Sequence, residues 1–304
     1  MEKILITGAL GQLGQEFINY FVNKGVFVVA SDIKNPPNSL PCAYEYADVL
    51  NKDKIDHIVK KYEINTIYHL VAVLSANGEK NPYKSWKINM ESFQNIIEIS
   101  INNKIKKVFW PSSIAVFGTS SNLDFVKQDT IMNPETIYGV SKLAGEKLAN
   151  YYFTKFGLDI RSLRYPGIIS TKTLPGGGTT DYIIEMINAA KNNTDYICFL
   201  NKETKLPMMY IDEAVKAAIT LMSKDRKTLS INTSYNITGF SITPAELEIE
   251  IILRGYNMKV KYKPDFRQNI ADSWPKEIDD SISFKDWGWS TSLGLQKTLD
   301  KIFS

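Results

Sequence analysis

A short apolar segment that runs directly into three evenly spaced glycines restricts what the amino terminus can fold into. Lys3–Thr7 is rich in isoleucine and leucine and predicts a strand. Gly8, Gly11 and Gly14 follow, and an amphipathic stretch over 12–24 predicts a helix. Glycines at these places allow a tight turn, the close approach of a pyrophosphate and close packing of the helix. The spacing differs from the commoner Gly-x-Gly-x-x-Gly, but the order of strand, turn and helix favours a dinucleotide site.

An acidic residue after the second predicted strand strengthens this interpretation. The segment 26–31 predicts a strand, and Asp32 follows it, 18 residues after Gly14. Dinucleotide sites of this kind have an acidic residue near that place, which binds the adenosine ribose hydroxyls. The alternative is that Asp32 belongs to a turn before the Pro36-Pro37 loop.

Alternation of strand and helix patterns through the first half predicts the fold class. The predicted strands are 3–7, 26–31, 66–70, 107–111 and 159–164, and the predicted helices are 12–24, 53–62, 83–103 and 138–156. This alternation is typical of an α/β fold, here a Rossmann-type doubly wound parallel sheet.

The second half is less regular and predicts a smaller C-terminal substrate-binding lobe. We expect helices over 182–191, 212–223 and 243–254, a strand over 235–238, and irregular structure in the remainder. The predicted division is therefore 1–166 for the main part of the NAD-binding domain and 167–304 for the smaller lobe, with chain crossings back to the first domain.

A phenol and an ammonium group at helical spacing suggest the chemistry. Tyr138 and Lys142 are four positions apart, so they share one face of the predicted helix. A nearby cation favours the phenolate, which can accept a proton from an alcohol. Ser113, at the end of the predicted strand 107–111, adds a hydroxyl at the edge of the sheet where ligands bind. The alternatives are a surface helix with an aromatic and a charge, and a solvated Ser-Ser turn.

Composition excludes several classes of function. Apolar residues make up 44% of the 304 residues and the net charge is +3, which predicts a globular protein without nucleic-acid or membrane partners. Cys42 and Cys198 are too few for a disulfide framework, and we expect reduced thiols in a cytoplasmic protein. His57 and His69 have no metal-ligand spacing with them, so no metal site is expected. We predict that His57 is exposed and His69 structural.

These motifs together resemble the extended short-chain dehydrogenase/reductase superfamily, which includes nucleotide-sugar epimerases. Further runs at 163–169, 175–182, 206–212 and 264–275 are similar to the short-chain type of L-threonine 3-dehydrogenase and extend the resemblance over nearly the whole chain. The resemblance implies oxidation of L-threonine at its β-hydroxyl to 2-amino-3-oxobutanoate with reduction of NAD. It also implies a homodimer that pairs the helices 83–103 and 138–156 with their symmetry mates.

The resemblance assigns residues to roles. Tyr138, Lys142 and Ser113 would be catalytic. The residues implied for NAD are Gly8, Gly11, Gln12, Leu13, Asp32, Asp48, Leu70, Ala72, Asn89, Tyr138, Lys142, Tyr165 and Pro166. Those implied for the substrate are Ser75, Ser113, Tyr138, Gly178, Thr179, Thr180 and Trp274.

Several alternatives remain open from the residues alone. Leu70 and Ala72 could be ordinary sheet core, Ser75 a loop cap, and Trp274 a core tryptophan. Thr179 and Thr180 could cap a helix, while the glycines at 176–178 suggest a mobile clamp on the substrate, because no packing reason for them is visible. The alternative functions are a nucleotide-sugar epimerase or dehydratase, and a non-catalytic NAD-sensing scaffold.

Overall fold

A computed structural model describes residues 2–36, 40–171 and 176–304. Pro37 and Pro175, which the sequence places in loops, lie outside these ranges. The strands are β1 Lys3–Thr7, β2 Phe27–Asp32, β3 Ala43–Tyr46, β4 Thr66–His69, β5 Lys107–Phe109, β6 Ser112–Ser113, β7 Ile160–Tyr165, β8 Gly167–Ile169, β9 Tyr196–Cys198, β10 Leu206–Tyr210, β11 Ser234–Asn236, β12 Phe240–Ile242 and β13 Val260–Tyr262. The α-helices are α1 Gln12–Asn23, α2 Lys52–Tyr62, α3 Ser75–Lys80, α4 Pro82–Trp86, α5 Ser92–Asn102, α6 Ile137–Phe156, α7 Tyr182–Lys191, α8 Ile211–Ser223, α9 Pro244–Leu253, α10 Arg267–Asp272, α11 Ser281–Trp287 and α12 Leu295–Phe303.

The main sheet confirms the predicted fold class. Its strand order is β11-β7-β5-β4-β1-β2-β3, with β6 beside β7, and these pairings are parallel. The order reverses between β1 and β4, which is where open α/β sheets bind ligands. Along β1, Ile4 and Ile6 join one buried cluster and Leu5 joins another. Both faces of the sheet are therefore covered, as a doubly wound fold requires.

Two regions differ from the sequence prediction. The predicted helix 83–103 is interrupted: α4 ends at Trp86, a π-helical turn occupies Lys87–Glu91, and α5 then begins. The expected irregular end of the chain instead contains α10, α11 and α12 as well as β13. These elements are short, so their hydrophobic periodicity is too brief to identify from sequence.

The second half contributes to both parts of the molecule. The strands β12, β10 and β8 form a small sheet, and β13 pairs with β9. In contrast, β11 pairs with β7 at the edge of the main sheet, and α8 packs against α1, β5 and β7. Parts of the chain after residue 166 therefore return to the main sheet, and the division of the chain at that residue stays a prediction.

Neither a membrane span nor a metal cluster is present in the described part of the chain. None of the helices there is both long and apolar enough to cross a bilayer. The His, Cys, Asp and Glu side chains of residues 2–36, 40–171 and 176–304 form no group of three or more that could hold a metal ion.

His69 ends β4 inside the protein, whereas His57 is exposed on α2. The His69 ring is hydrogen-bonded to the hydroxyls of Thr7 at 2.7 Å and Ser92 at 3.0 Å. Burial, assisted by the charge of Lys142, lowers the pKa of His69 from 6.5 to about 3. His69 therefore has a structural place in the fold, and the folded protein keeps its ring neutral.

This burial predicts acid sensitivity. The unfolded chain takes up a proton near pH 6.5 and the folded chain only near pH 3, so stability falls as pH falls between these values. We expect His69 alone to contribute a loss of about 1.4 kcal/mol in unfolding free energy per pH unit in that window. Denaturant titrations from pH 7 to 4 should show a shallower loss in H69N, with H57N as the exposed control. Equal slopes in H69N and the unsubstituted protein would contradict this.

Candidate active site

A cavity of about 520 Å³ opens where β1, β4, β6 and β7 reach their carboxyl ends. It brings together residues from both halves of the chain. Sixteen of the residues predicted to bind cofactor or substrate line it: Gly8, Gly11, Gln12, Leu13, Leu70, Ala72, Ser75, Ser113, Tyr138, Lys142, Tyr165, Pro166, Gly178, Thr179, Thr180 and Trp274.

The glycine turn is shaped by close backbone contacts. Gly8 has φ of +69°, a conformation that favours glycine. A Cβ on Gly14 would lie 2.5 Å from the carbonyl oxygen of Ala9, so α1 could not pack this closely with a larger residue. Asp32 supports the turn, since its Oδ2 accepts a hydrogen bond from the Leu10 N–H at 3.0 Å. The turn therefore presents its backbone, without bulky side chains, at the N-terminus of α1.

Ser113 and Tyr138 are brought together by the packing of α6. Ser113 lies on β6, where it pairs with Tyr165 of β7. Thr136 caps α6 by accepting a hydrogen bond from the Gly139 N–H at 3.0 Å. A Cβ on Gly139 would come within 2.1 Å of the Ala115 carbonyl oxygen, so only glycine lets the start of α6 approach the turn after Ser113. This approach brings the Tyr138 phenol close enough to Ser113 for the serine to act on its pKa. The Ser113 hydroxyl oxygen itself accepts a hydrogen bond from the Ala115 N–H at 3.2 Å.

Lys142 lies one turn further along α6 and is buried. Its Nζ donates a hydrogen bond to the Pro111 carbonyl oxygen at 2.6 Å. It lies 4.5 Å from the centre of the Trp110 ring and 5.5 Å from that of Tyr138. Gly145 makes room for Trp110, because a Cβ there would be 2.3 Å from the indole ring. The ammonium group is therefore positioned by β5 and its continuation as well as by its own helix.

The protonation behaviour of the two groups follows from their burial. Desolvation raises the pKa of Tyr138 to about 12, and the nearby Ser113 hydroxyl acts in the opposite direction. Desolvation lowers the pKa of Lys142 to about 7, and the Glu146 carboxylate raises it. The expectation that the phenol pKa is lowered is therefore wrong for the protein without cofactor, because desolvation outweighs the effect of Ser113. A deprotonated Tyr138 at neutral pH requires additional positive charge beside the phenol.

The second wall of the cavity is held by contacts between hydroxyls and amides. The hydroxyls of Ser75 and Thr179 lie 3.0 Å apart, both buried. Ser75 does not cap α3, because it is the first residue of that helix and Leu74 stands at the N-cap. Capping does not explain Thr179 and Thr180, because Asp181 stands at the N-cap of α7. The Trp274 side chain is 6% exposed, and its indole N–H has no hydrogen-bond partner among the described residues.

The expectation that the glycines at 176–178 have no packing reason is wrong for Gly177. Its φ is +85°, and a Cβ would lie 2.0 Å from the amide nitrogen of Asn77. The N–H groups of Gly177 and Gly178 both donate to Asp181 Oδ2 at 2.8 Å, and the Asn77 amide donates to the Gly176 carbonyl at 3.1 Å. An alanine at Gly177 would therefore strain the backbone, so it could not test the mobility of the loop.

Three predicted cofactor residues lie outside the cavity lining. Asp32 supports the turn from beneath, and its Oδ1 accepts the Lys34 N–H at 3.1 Å. Asp48 is exposed and accepts the Leu50 N–H at 2.9 Å. Asn89, buried in the π-helical turn, accepts from the Val73 N–H at 2.7 Å and donates to its carbonyl at 3.2 Å. Asn89 thus holds the loop after β4 in place.

Sequence reasoning missed Lys34, Asn77 and Asp181, all of which line the cavity. For Asp181 the sequence indicated only a role at the start of the helix that follows, because aspartate is a common N-cap residue. Asn77 carried none, because its partner Gly176 is 99 positions away along the chain. Lys34 was visible only as a charge close to Asp32.

The chain is similar to known proteins over most of its length. The model of the NAD dependent epimerase/dehydratase family matches residues 4–238. The mitochondrial L-threonine 3-dehydrogenase of Bos taurus is 39% identical over 299 residues, which cover 97% of this chain and 80% of that protein. The holo form of a GalE-like L-threonine dehydrogenase from Cupriavidus necator is 40% identical with a TM-score of 0.96, covering 99% of this chain and 98% of that chain. A monomeric L-threonine 3-dehydrogenase from a metagenome is 40% identical with a TM-score of 0.95, covering 98% and 97%.

Proposed function

The chain belongs to the NAD-dependent epimerase/dehydratase family, and from this premise we propose that it oxidises L-threonine at the β-hydroxyl to 2-amino-3-oxobutanoate and reduces NAD to NADH. One observation carries the proposal. A single cavity unites the glycine turn, the set of Ser113, Tyr138 and Lys142, and the wall formed by Ser75 and Thr179. The relatives named as threonine dehydrogenases support the choice of substrate.

The glycine turn fits a dinucleotide. The positive φ of Gly8 and the close contact at Gly14 leave backbone exposed at the N-terminus of α1, where a pyrophosphate is stabilised by N–H groups and the helix dipole. Gly8, Gly11, Gln12 and Leu13 would hold it there. Asp32 would bind the adenosine ribose and Asp48 the adenine end. Leu70, Ala72, Asn89, Tyr165 and Pro166 would contact or support the cofactor further along, and NAD would supply the hydride acceptor.

Tyr138 is the proton acceptor in this proposal. Its phenolate would take the proton of the substrate β-hydroxyl while the hydride leaves the same carbon. Ser113 would donate a hydrogen bond to the reacting oxygen and keep it directed at Tyr138. Lys142 would bind the nicotinamide ribose and, as ammonium, favour the phenolate. General acid–base help of this kind is worth roughly 10² to 10⁴ in rate.

Recognition of the amino acid is assigned to the opposite wall. The hydroxyls of Thr179 and Thr180, the Gly178 backbone and Ser75 would bind its charged groups. The indole N–H of Trp274, which has no partner among the residues that the structure describes, would donate to the same ligand. We also propose that the 176–180 loop closes over the bound amino acid.

The direct test is absorbance at the NADH wavelength with NAD and L-threonine. We expect NADH to accumulate with L-threonine and not with D-threonine, because the cavity is chiral and the β-carbon must face the nicotinamide. Supplying a UDP-sugar instead should give no net NADH. Absence of NADH with L-threonine, together with epimerisation of a nucleotide sugar, would overturn the proposal in favour of an epimerase.

Cofactor choice gives a second prediction. Asp32 would repel the additional phosphate of NADP, whereas Lys34, which lines the cavity, would attract it. We expect a strong preference for NAD in kcat/KM, a weaker preference in D32S and a stronger one in K34A. Equal efficiency with both cofactors in the unsubstituted protein would remove Asp32 from this role.

A homodimer remains our proposal for the assembly. Tyr83 and Trp86 on α4 are 80% and 39% exposed, and Val140 on the adjoining α6 is 39% exposed. Burying such side chains in a two-fold interface would stabilise a dimer. Light scattering should give twice the mass of one chain, and a monomer mass for W86E, with F284E as a control elsewhere on the surface. A monomer in the unsubstituted protein, as described for the metagenomic relative, would contradict this.

A cytoplasmic location for this protein likewise stays a prediction.

A further inference from the structure

A buried ion pair lies directly behind the proposed catalytic residues. The Arg164 guanidinium contacts the Glu146 carboxylate through two hydrogen bonds, from Nε to Oε1 at 3.0 Å and from an Nη to Oε2 at 2.9 Å. The Ser112 hydroxyl donates to Glu146 Oε1 at 2.6 Å. All three side chains are buried. We call Ser112, Glu146 and Arg164 the Glu146 cluster.

The cluster is connected to the proposed site along two routes. Tyr138, Lys142 and Glu146 occupy successive turns of α6, so their side chains share one face of that helix. Ser112 directly precedes Ser113 on β6, and it pairs with Arg164 of β7. A single carboxylate therefore contacts the strand that carries Ser113 and lies one turn from Lys142.

Burying this pair is costly, and stability alone gives a weak reason for it. Taking two charges out of water costs several kcal/mol per ion, and well-packed apolar residues often replace such pairs without loss. The other Nη of Arg164 donates to the Gln128 carbonyl at 3.0 Å and to Asn236 Oδ1 at 3.1 Å, so four of its five N–H donors have partners. The pair is thus extensively hydrogen-bonded, and Ser112 of the same cluster lines the cavity.

We infer that Glu146, held in place by Arg164, is a positioning residue for the reaction: it anchors Ser113 through Ser112 and keeps Lys142 in its ammonium form. The inference rests on the proposed roles of Ser113 and Lys142. It assigns the two effects to one carboxylate that touches neither the substrate nor the cofactor.

The charges around Lys142 support the second effect. One neighbour is His69 of β4, whose pKa is lowered by burial and by the charge of Lys142. Its ring is therefore neutral and does not stabilise the ammonium group by charge. Tyr138 is a neutral phenol in the same surroundings, and Arg164 is a cation. The Glu146 carboxylate raises the pKa of Lys142, which burial has lowered to about 7. Removing that carboxylate would leave the amine favoured at neutral pH.

The decisive variant is E146Q, which removes the charge and keeps an oxygen that can accept from Ser112. The titration of Lys142 can be followed by NMR of protein labelled with ¹³C at lysine Cε, with the signal assigned by its loss in K142M. We expect the Lys142 midpoint to fall by about one pH unit or more, which is about a tenfold change in the ratio of ammonium to amine at a given pH. Turnover of threonine should fall by a similar factor.

Two matched variants separate the routes. S112A removes the anchor of Ser113 and retains the carboxylate, so kcat should fall several-fold while the Lys142 titration stays unchanged. D159N is the control, because Asp159 forms an ion pair of 2.7 Å with Arg161. Arg161 lies on strand β7, as Arg164 does, but neither Asp159 nor Arg161 lines the cavity. D159N should change the stability of the protein at most. Its Lys142 titration and its kcat should equal those of the unsubstituted protein.

The experiments distinguish a failure of this inference from a failure of the proposed function. An unchanged Lys142 titration in folded E146Q, or a shift equal to that in D159N, would overturn the inference. If E146Q fails to fold, an unchanged kcat in S112A would overturn the Ser113 route. If the unsubstituted protein makes no NADH from threonine, the proposed function fails, yet the Lys142 titration still decides the inference because it needs no substrate.

Discussion

Replacing Tyr138 with phenylalanine should remove threonine turnover almost completely and leave the protein folded. The ring stays in place against Ser113, but the oxygen that would accept the proton is gone. Loss of a general base typically costs roughly 10² to 10⁴ in rate, and we expect kcat to fall by about this factor. NAD affinity should change little, because the proposed cofactor contacts come mainly from the glycine turn and from Lys142.

The measurement is kcat for NADH formation, with NAD affinity determined separately by calorimetry. Tyr152 is a suitable control, since it lies on the same helix α6 but outside the cavity lining. Y152F makes the same chemical change there and should retain turnover. A near-normal rate in Y138F would show that Tyr138 is not the base, and equal losses in both variants would point to damage of α6.

Replacing Lys142 with methionine should reduce both turnover and NAD affinity. Methionine keeps most of the volume but removes the ammonium that we assign to the nicotinamide ribose and to the phenolate. A hydrogen bond from a charged group contributes about 1.5 to 3 kcal/mol, so we expect NAD to bind roughly ten- to a hundredfold more weakly. Turnover should fall further still, by about 10² or more, because the base is affected as well.

The free energy of unfolding, in contrast to turnover and NAD affinity, should not fall in K142M. Lys142 is buried, and desolvation lowers its pKa to about 7 from 10.5. The unfolded chain therefore binds more protons than the folded one between these values, and stability rises with pH across that window. We expect K142M to abolish this rise and to be at least as stable at pH 7. K147M, at an exposed position of the same helix, provides the control. A large loss of stability in K142M would contradict the cost that we assign to the buried ammonium.

Local sequence determined the central features of the fold. The glycine turn was predictable because a positive φ at Gly8 and the close contact at Gly14 are demands that few other residues meet. The helical relation between Tyr138 and Lys142 was predictable because their spacing alone places them on one face. Of the first-half strands, β1, β2, β4, β5 and β7 were predicted to within a few residues because buried parallel strands have continuous apolar runs.

Contacts between distant parts of the chain could not be predicted in this way. Asn77 reaches Gly176, and Ser75 reaches Thr179 across 104 positions. The purpose of Gly177 became visible only when the Asn77 amide was placed against it. The π-helical turn that brings Asn89 to the loop after β4 also escaped detection, because an added residue in a helical turn leaves little trace in hydrophobic periodicity.

The sequence by itself therefore determined the type of fold, the glycine turn and the set of side chains able to carry the chemistry. Tertiary structure alone decided how these side chains interact: that the Lys142 ammonium donates to the Pro111 carbonyl, and that the Glu146 carboxylate accepts a hydrogen bond from Ser112, the neighbour of Ser113. The physical reason is that backbone preferences and helical spacing act over a few residues. Burial, charge and hydrogen bonding depend on neighbours that only folding brings within a few ångströms.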